Sequence, residues 1–409
     1  MKYAMLPLNL NDLAPIHIQA LIDSEVPESL TLEYKQHLPT KQTDESREFL
    51  YDIAAMANSA GGHFVYGIVD RRGEDSKSTG IADKLLGTRV SNPQAEIDRL
   101  ANLIRDSIAP RLTGVVMQPV SCDEGDALVI RVPRSWNKPH MVTSGGVNKF
   151  FARAATGKYP MSVDEIGRAF SEQSELGERI RGWRSHRAEL LALGKGPAPL
   201  ASEVAMLFHV IPADSFSRGV LRGTWRVTED EKNYMHVPHG PYHPRYNADG
   251  FICLAQTGIT QDATYGYTQM FRSGIVEYVD SNCFWPPMGG AGHMVLAQEL
   301  EKQMVHCYKD AITRYRKQGR SESLYAGFSL IGIEEKQFFF NVMSLAFPKS
   351  TIRQNVFTSP EVLIDPAEPE EQPFEKTLLP LVDTMWQVGG YQGTPCKRQG
   401  EWTPFFDFR

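Results

Sequence analysis

The sequence predicts an α+β protein in two domains, on three observations. The first half alternates short apolar strand patterns with amphipathic helix patterns. The segment GKGPAP (Gly194–Pro199) then interrupts the chain as its strongest linker signal. Beyond it strand patterns follow one another, with Arg272-Ser273-Gly274 as a hairpin turn and one long helix. A chain of 409 residues is long for one domain. The expected division is an α+β lobe over 1–172, an arginine-rich helical connector and linker over 173–199, and a C-terminal α+β domain with an antiparallel sheet and a long helix over 200–409.

Residues 15–25 predict a short helix, and Pro27 introduces the opening strand. In ESLTLEYKQH (Glu28–His37), Leu30, Leu32 and Tyr34 alternate with Thr31, Glu33 and Lys35, the period of a strand with one apolar face. Thr43–Asp44 can cap the next helix, whose Phe49, Ile53, Met56 and Ala57 recur at helical spacing until NSAGG (Asn58–Gly62) stops it. HFVYGIVD (His63–Asp70) reads as one mostly apolar strand, and Arg71-Arg72-Gly73 as a turn. Ile97, Leu100, Leu103, Ile104 and Ile108 form the stripe of a further helix. Strands follow near Leu112–Pro119, Ala127–Pro133 and Phe150–Arg153, and a helix over Ser162–Ser171. In the second half Val204–Pro212, Gly250–Ala255, Tyr265–Phe271, Ile275–Asp280 and Gly327–Gly332 read as strands. Helices are expected over about His293–Arg316 and Lys376–Val388, the latter after an acidic, proline-rich loop (Pro360–Pro373).

Composition narrows the function classes. A net charge of −6 argues against a protein coated in nucleic acid, while leaving room for a local basic face. The five cysteines are scattered, with no pair at metal-ligand spacing, so neither a disulfide framework nor a zinc ribbon is indicated. No apolar run reaches the length of a signal peptide or a membrane span. A cytoplasmic protein without a membrane partner is expected.

The opening strand poses a chemical question. Glu33 and Lys35 point the same way, whereas Glu28 lies five residues before Glu33, on the opposite parity. The two carboxylates meet only if the chain bends at Pro27–Ser29. ESLTLEYK, the helix ending DIAAMANSAGG and the strand HFVYGIVD together resemble the Schlafen AlbA-type domain, with its E-S-x-x-x-E-F-K strand, its A-F-A-N-T-x-G-G helix end and its G-V-x-D strand. Lys138-Pro139-His140 and KFFARAATGKYPMS are similar to that domain's closing segment, so the resemblance covers about residues 25–170. Tyr34, Met56, Ser59 and Ala154–Ala155 depart from the family pattern. The resemblance implies a catalytic and metal-binding triad of Glu28, Glu33 and Asp70 holding Mg²⁺ or Mn²⁺. Such convergent carboxylates repel one another until a divalent cation neutralises them, and the cation can activate a nucleophile at a phosphate. Lys35, Arg71, Arg72, Lys138, Arg153, Arg181 and Arg184 are the expected contacts to RNA or DNA. The implied function is a metal-dependent endoribonuclease acting on structured RNA such as tRNA, in the manner of an antiphage defence effector, and as a homodimer because only one lobe is present. The alternative is a non-catalytic DNA- or RNA-binding regulator using the same lobe.

AATGKYP fails as a P-loop, because Tyr159 follows Gly157-Lys158 where Ser or Thr is needed. HVPHGPYH (His236, His239, His243) could ligate a metal, although a solvated turn is the plainer reading. The arginines of RIRGWRSHRAE could pair with Glu175, Glu178 and Glu189 instead of touching a polynucleotide. Nothing in the second domain's sequence carries a catalytic motif.

Overall fold

The structure is a computed structural model. It describes residues 6–7, 10–73, 78–123, 125–146, 148–216, 235–238, 242–255, 263–282, 284–285, 294–318, 320, 322–339, 351–364 and 375–404. The chain folds as α+β and divides into two units. Unit 1 comprises Met1–Glu175, Tyr315–Ser323 and Asp365–Glu368, and unit 2 comprises Leu176–Arg314, Leu324–Ile364 and Pro369–Arg409. The division falls inside a helix, not at GKGPAP.

Unit 1 begins with α1 (Pro15–Asp23), β1 (Leu32–Lys35) and α2 (Thr43–Asn58). Next come β2 (Gly62–Tyr66), β3 (Ile68–Arg72), β4 (Ser78–Leu85), α3 (Pro93–Ser107) and β5 (Ile108–Ala109). β6 (Val116–Cys122), β7 (Gly125–Val132), β8 (Met141–Val142), β9 (Lys149–Ala154) and β10 (Gly157–Pro160) complete the strands. One sheet runs β1-β2-β7-β6 and a second runs β10-β9-β8-β5. β1 pairs parallel to β2, with Glu33 opposite Phe64 and Lys35 opposite Tyr66. Both faces of the first sheet are covered, which is why β2 and β7 read as nearly continuous apolar runs. Phe49, Leu50, Ile53 and Ala57 of α2 and Leu100 and Ile104 of α3 pack with Phe64, Tyr66 and Ile130 on one face. Ile18 and Leu21 of α1 pack with Tyr34, Val65 and Val129 on the other.

The structure departs from the sequence expectations at several elements. His63–Asp70 is not one strand: Gly67, at φ +96, breaks it, and Ile68–Arg72 forms a separate ribbon with β4. Arg71 and Arg72 therefore lie in a strand rather than a turn. The helix expected over Ser162–Ser171 and the connector are one helix, α4 (Val163–Ala192). Thr43 opens α2 as its first residue, with Gln42 at the N-cap position and no side-chain cap bond.

Unit 2 is built on β11 (Ala205–Pro212), β12 (Tyr242–Tyr246), β13 (Gly250–Ala255), β14 (Gly266–Phe271) and β15 (Val276–Asp280). β16 (Phe284–Trp285), β17 (Met294–Leu296), α5 (Ala297–Lys317), β18 (Leu324–Ile331), β19 (Gln337–Phe339), β20 (Val356–Thr358), β21 (Val362–Ile364) and α6 (Glu375–Val388) follow. Its large sheet runs β12-β13-β14-β15-β11-β18-β20, with β21 also on β18. The Arg272-Ser273-Gly274 turn joins β14 to β15 as expected, with Gly274 at φ +92. Most of the acidic loop (365–374) lies outside the described residues.

Candidate functional site

The chain approaches the site through a turn at Leu30–Thr31, closed by hydrogen bonds between Ser29 and Leu32, rather than through a bend at Pro27–Ser29. That turn reverses Glu28 onto β1, where Glu28 Oε1 accepts the Tyr34 N–H at 2.8 Å. Glu28 and Glu33 consequently share one cavity of about 320 Å³, lined by Lys35, Asp52, Arg153, the β9–β10 turn (Ala155–Thr156) and Gly157–Lys158 of β10. The alternation read along β1 holds. Glu33 and Lys35 lie on the face carrying Phe64 and Tyr66, half-buried beside α2 and β9 rather than open to solvent.

Within the cavity three carboxylates face three cations. Lys35 Nζ lies 2.5 Å from Glu33 Oε1 and 3.1 Å from Asp52 Oδ2. Arg153 pairs with Glu33 Oε2 and also donates to the Ser29 carbonyl at 3.2 Å. Lys158 Nζ reaches Asp52 Oδ1 at 2.6 Å and Glu48 Oε2 at 2.7 Å. Burial pushes the Glu28 carboxyl above its ordinary range, and the nearby Glu33 charge adds to the rise. Burial acts the same way on Glu33, but Lys35 and Arg153 outweigh it and hold that group low. Burial alone would lower Lys35, yet Asp52 and Glu33 keep its proton more tightly bound than usual.

The site is positioned by a buried polar knot behind it. Asn58, at the end of α2, donates to the carbonyls of His140 and Phe151, both at 2.9 Å, and accepts the His140 N–H at 2.7 Å. His140 Nε2 meets Ser135 Oγ at 2.6 Å, and burial depresses its imidazole to about 4. Gly61 and Gly62 permit this closeness. A Cβ on Gly61 would strike the Arg134 backbone nitrogen, and one on Gly62 would strike the Thr31 carbonyl.

The expected site residues separate into those brought together and those left apart. Glu28, Glu33, Lys35 and Arg153 meet in the cavity. Asp70 does not line it, because the break at Gly67 carries Asp70 onto the β3–β4 ribbon opposite Ala82. One Asp70 oxygen there is buried without a hydrogen-bond partner. Arg71 is held by Glu25 at 2.7 Å, and Arg72 stands opposite Ser78 on the same ribbon. Lys138 is buried against Glu172 at 2.8 Å. In unit 2, Arg184 is fully buried, donating to the carbonyls of Phe328 and Ser359 and pairing with Glu361, so it cannot touch a polynucleotide. Arg181 pairs with the same Glu361, and Arg187 with Glu277, not with the glutamates of their own helix. His236 donates its backbone N–H to Asp310, and His239 lies outside the described residues.

The triad does not fit a metal centre as arranged. Glu33 has both oxygens on cations, Glu28 gives one to a backbone N–H, and Asp70 is elsewhere. Among the described residues no three His, Cys, Asp or Glu side chains converge as a metal-holding group. The cavity residues missed in the sequence are Asp52 and Lys158. Asp52 carried a signal: it is an acid three residues after Phe49 and four before Met56, on the apolar stripe of α2.

Residues 28–162 match the family model described as Schlafen, AlbA_2. Unit 1 thus carries a Schlafen AlbA_2 domain, over about a third of the chain. No curated protein matches the chain. One similar solved structure is the N-terminal domain of a putative ATP-dependent DNA helicase RecG-related protein from Nitrosomonas europaea. It shows 20% identity and a TM-score of 0.25, over 31% of this chain and 80% of that one. Another is the DIP2311 protein from Corynebacterium diphtheriae, at 18% identity and a TM-score of 0.25, over 45% of this chain and 29% of that one.

Proposed function

We propose that unit 1 grips the backbone of a nucleic acid in the cavity between β1 and the β9–β10 turn, and that its activity is endoribonucleolytic cleavage of structured RNA such as tRNA. The observation that carries this reading is the meeting of Glu28, Glu33, Lys35 and Arg153, drawn from motif segments far apart in sequence, in one cavity. A cleavage site needs a carboxylate to move a proton and cations to bind the phosphate charge. Glu28 supplies the first, with its affinity for a proton raised by burial. Lys35 and Arg153 supply the second, once a phosphate takes the place of Glu33.

A second reading has its own support. Both Glu33 oxygens are already ion-paired, an arrangement suited to a regulator that binds DNA or RNA without turnover. One experiment separates them: total tRNA incubated with the purified chain in Mg²⁺ or Mn²⁺ and in EDTA, beside the Glu28→Gln chain. Discrete fragments that depend on Glu28 support the nuclease, metal-dependent where EDTA abolishes them. Intact tRNA retained in complex supports the binder, and fragments that persist in EDTA sink the metal requirement.

A further inference from the structure

Two of the cavity's cations share one carboxylate. Asp52 gives Oδ2 to Lys35 and Oδ1 to Lys158, although the two lysines sit on strands 123 residues apart (158 − 35). The Asp52 side chain is 7% exposed, against 33% for Lys35 and 22% for Lys158. A nearly buried charge on the apolar stripe of a helix is costly, and packing alone would be served by an apolar side chain there. What the aspartate adds is geometry. One cation on each oxygen brings two ammonium groups to the two sides of a single carboxylate, where one bound phosphate can present an oxygen to each. Glu48, the other partner of Lys158, is 63% exposed, so water screens that pair and it yields readily to a competing anion.

We propose that Asp52 is a positioning residue that holds Lys35 and Lys158 as a paired phosphate clamp, with Lys158 a direct contact to the nucleic-acid backbone. This rests on the reading of the cavity as a nucleic-acid site. Lys35 is faced by Glu33 from its own strand and Asp52 from α2, with Glu28, Arg153 and Lys158 on the same cavity wall. Burial works to strip Lys35 of its proton, and the charges of Asp52 and Glu33 both act to keep it in place.

The test is fluorescence anisotropy of the full chain with a labelled tRNA transcript and with duplex DNA, from about 50 to 300 mM KCl, at pH 7 and at about pH 9.5. Melting curves first confirm that each variant is folded. Lys158→Ala weakens binding to both probes and reduces the salt slope by about one. Asp52→Asn makes the chain more positive by one, yet it weakens binding about tenfold. It also moves the alkaline loss of affinity to lower pH, and Asp52→Glu restores part of both. Unchanged or tighter binding by Asp52→Asn with an unmoved alkaline limb overturns the clamp, as does an unchanged Lys158→Ala chain. A wild-type chain that binds neither probe overturns the nucleic-acid reading, and the clamp with it.

Discussion

At the scale of single residues, buried histidines set a pH limit on unit 1. His63 and His140 both have their imidazoles depressed to about 4 by burial. The unfolded chain takes up protons below about pH 6.5 while the folded one does not, so acid favours unfolding between those values. The stability each contributes is complete above the unfolded value. It is lost as pH falls toward about 4, to a limit of ~3 kcal/mol per histidine. The raised carboxyls of Glu28 and Glu301 act in the opposite direction in part of that window, so a variant comparison isolates the histidine. We expect the His140→Gln chain to be less stable at neutral pH and to lose less on going from pH 6.5 to 4.5. Parallel urea-denaturation curves across that range would count against this account. Residue identity alone left this hidden: Lys138-Pro139-His140 signalled the family, while the Ser135 and Pro110 contacts that bury the ring come from separate loops.

Among elements, the alternation of β1 and the apolar stripes of α2 and α3 were legible because each depends on neighbours a few residues away. The split of His63–Asp70 was not, since Gly67 sits inside an apolar run and only tertiary contact shows that the chain turns out of the sheet there. The separation of Asp70 from the cavity follows from that single glycine. The arginine face of α4 looked like a polynucleotide surface for a similar reason: the acids that answer it, Glu277 and Glu361, are distant in sequence. Glu277 is fully buried, and burial would raise its carboxyl, but His209 and Arg187 bring it down to about 2. Glycines within these elements differ sharply in what they tolerate. Gly62→Ala, which drives a Cβ into the Thr31 carbonyl beside β1, should destabilise the chain by roughly 2–4 kcal/mol. Gly167→Ala, in open space on α4, should be neutral or stabilise by up to about 1 kcal/mol. Chemical denaturation of the two variants side by side checks this, and equal losses would show that the contact at Thr31 relaxes.

For the whole molecule, the division into an AlbA_2 unit and a second α+β unit was legible in texture, but its boundary was not. GKGPAP has the composition of a linker, yet the helix before it crosses from one unit to the other without interruption. Among the described residues no helix is long and apolar enough to cross a membrane. If unit 1 cuts tRNA in the cell, overexpression of the wild-type chain should arrest growth while Glu28→Gln at equal abundance does not. Growth curves with immunoblots decide it, and equal arrest by both chains would detach toxicity from this site.

The pairing of Glu33 with Arg153 spans 120 residues of sequence, and Lys158 lies further along still. Half of the cavity is therefore translated long before the other half exists. A chain still tethered to the ribosome, with tRNA arriving at every codon, carries the acidic wall without the turn that completes it. Order of synthesis thus delays the complete cavity until β10 has emerged.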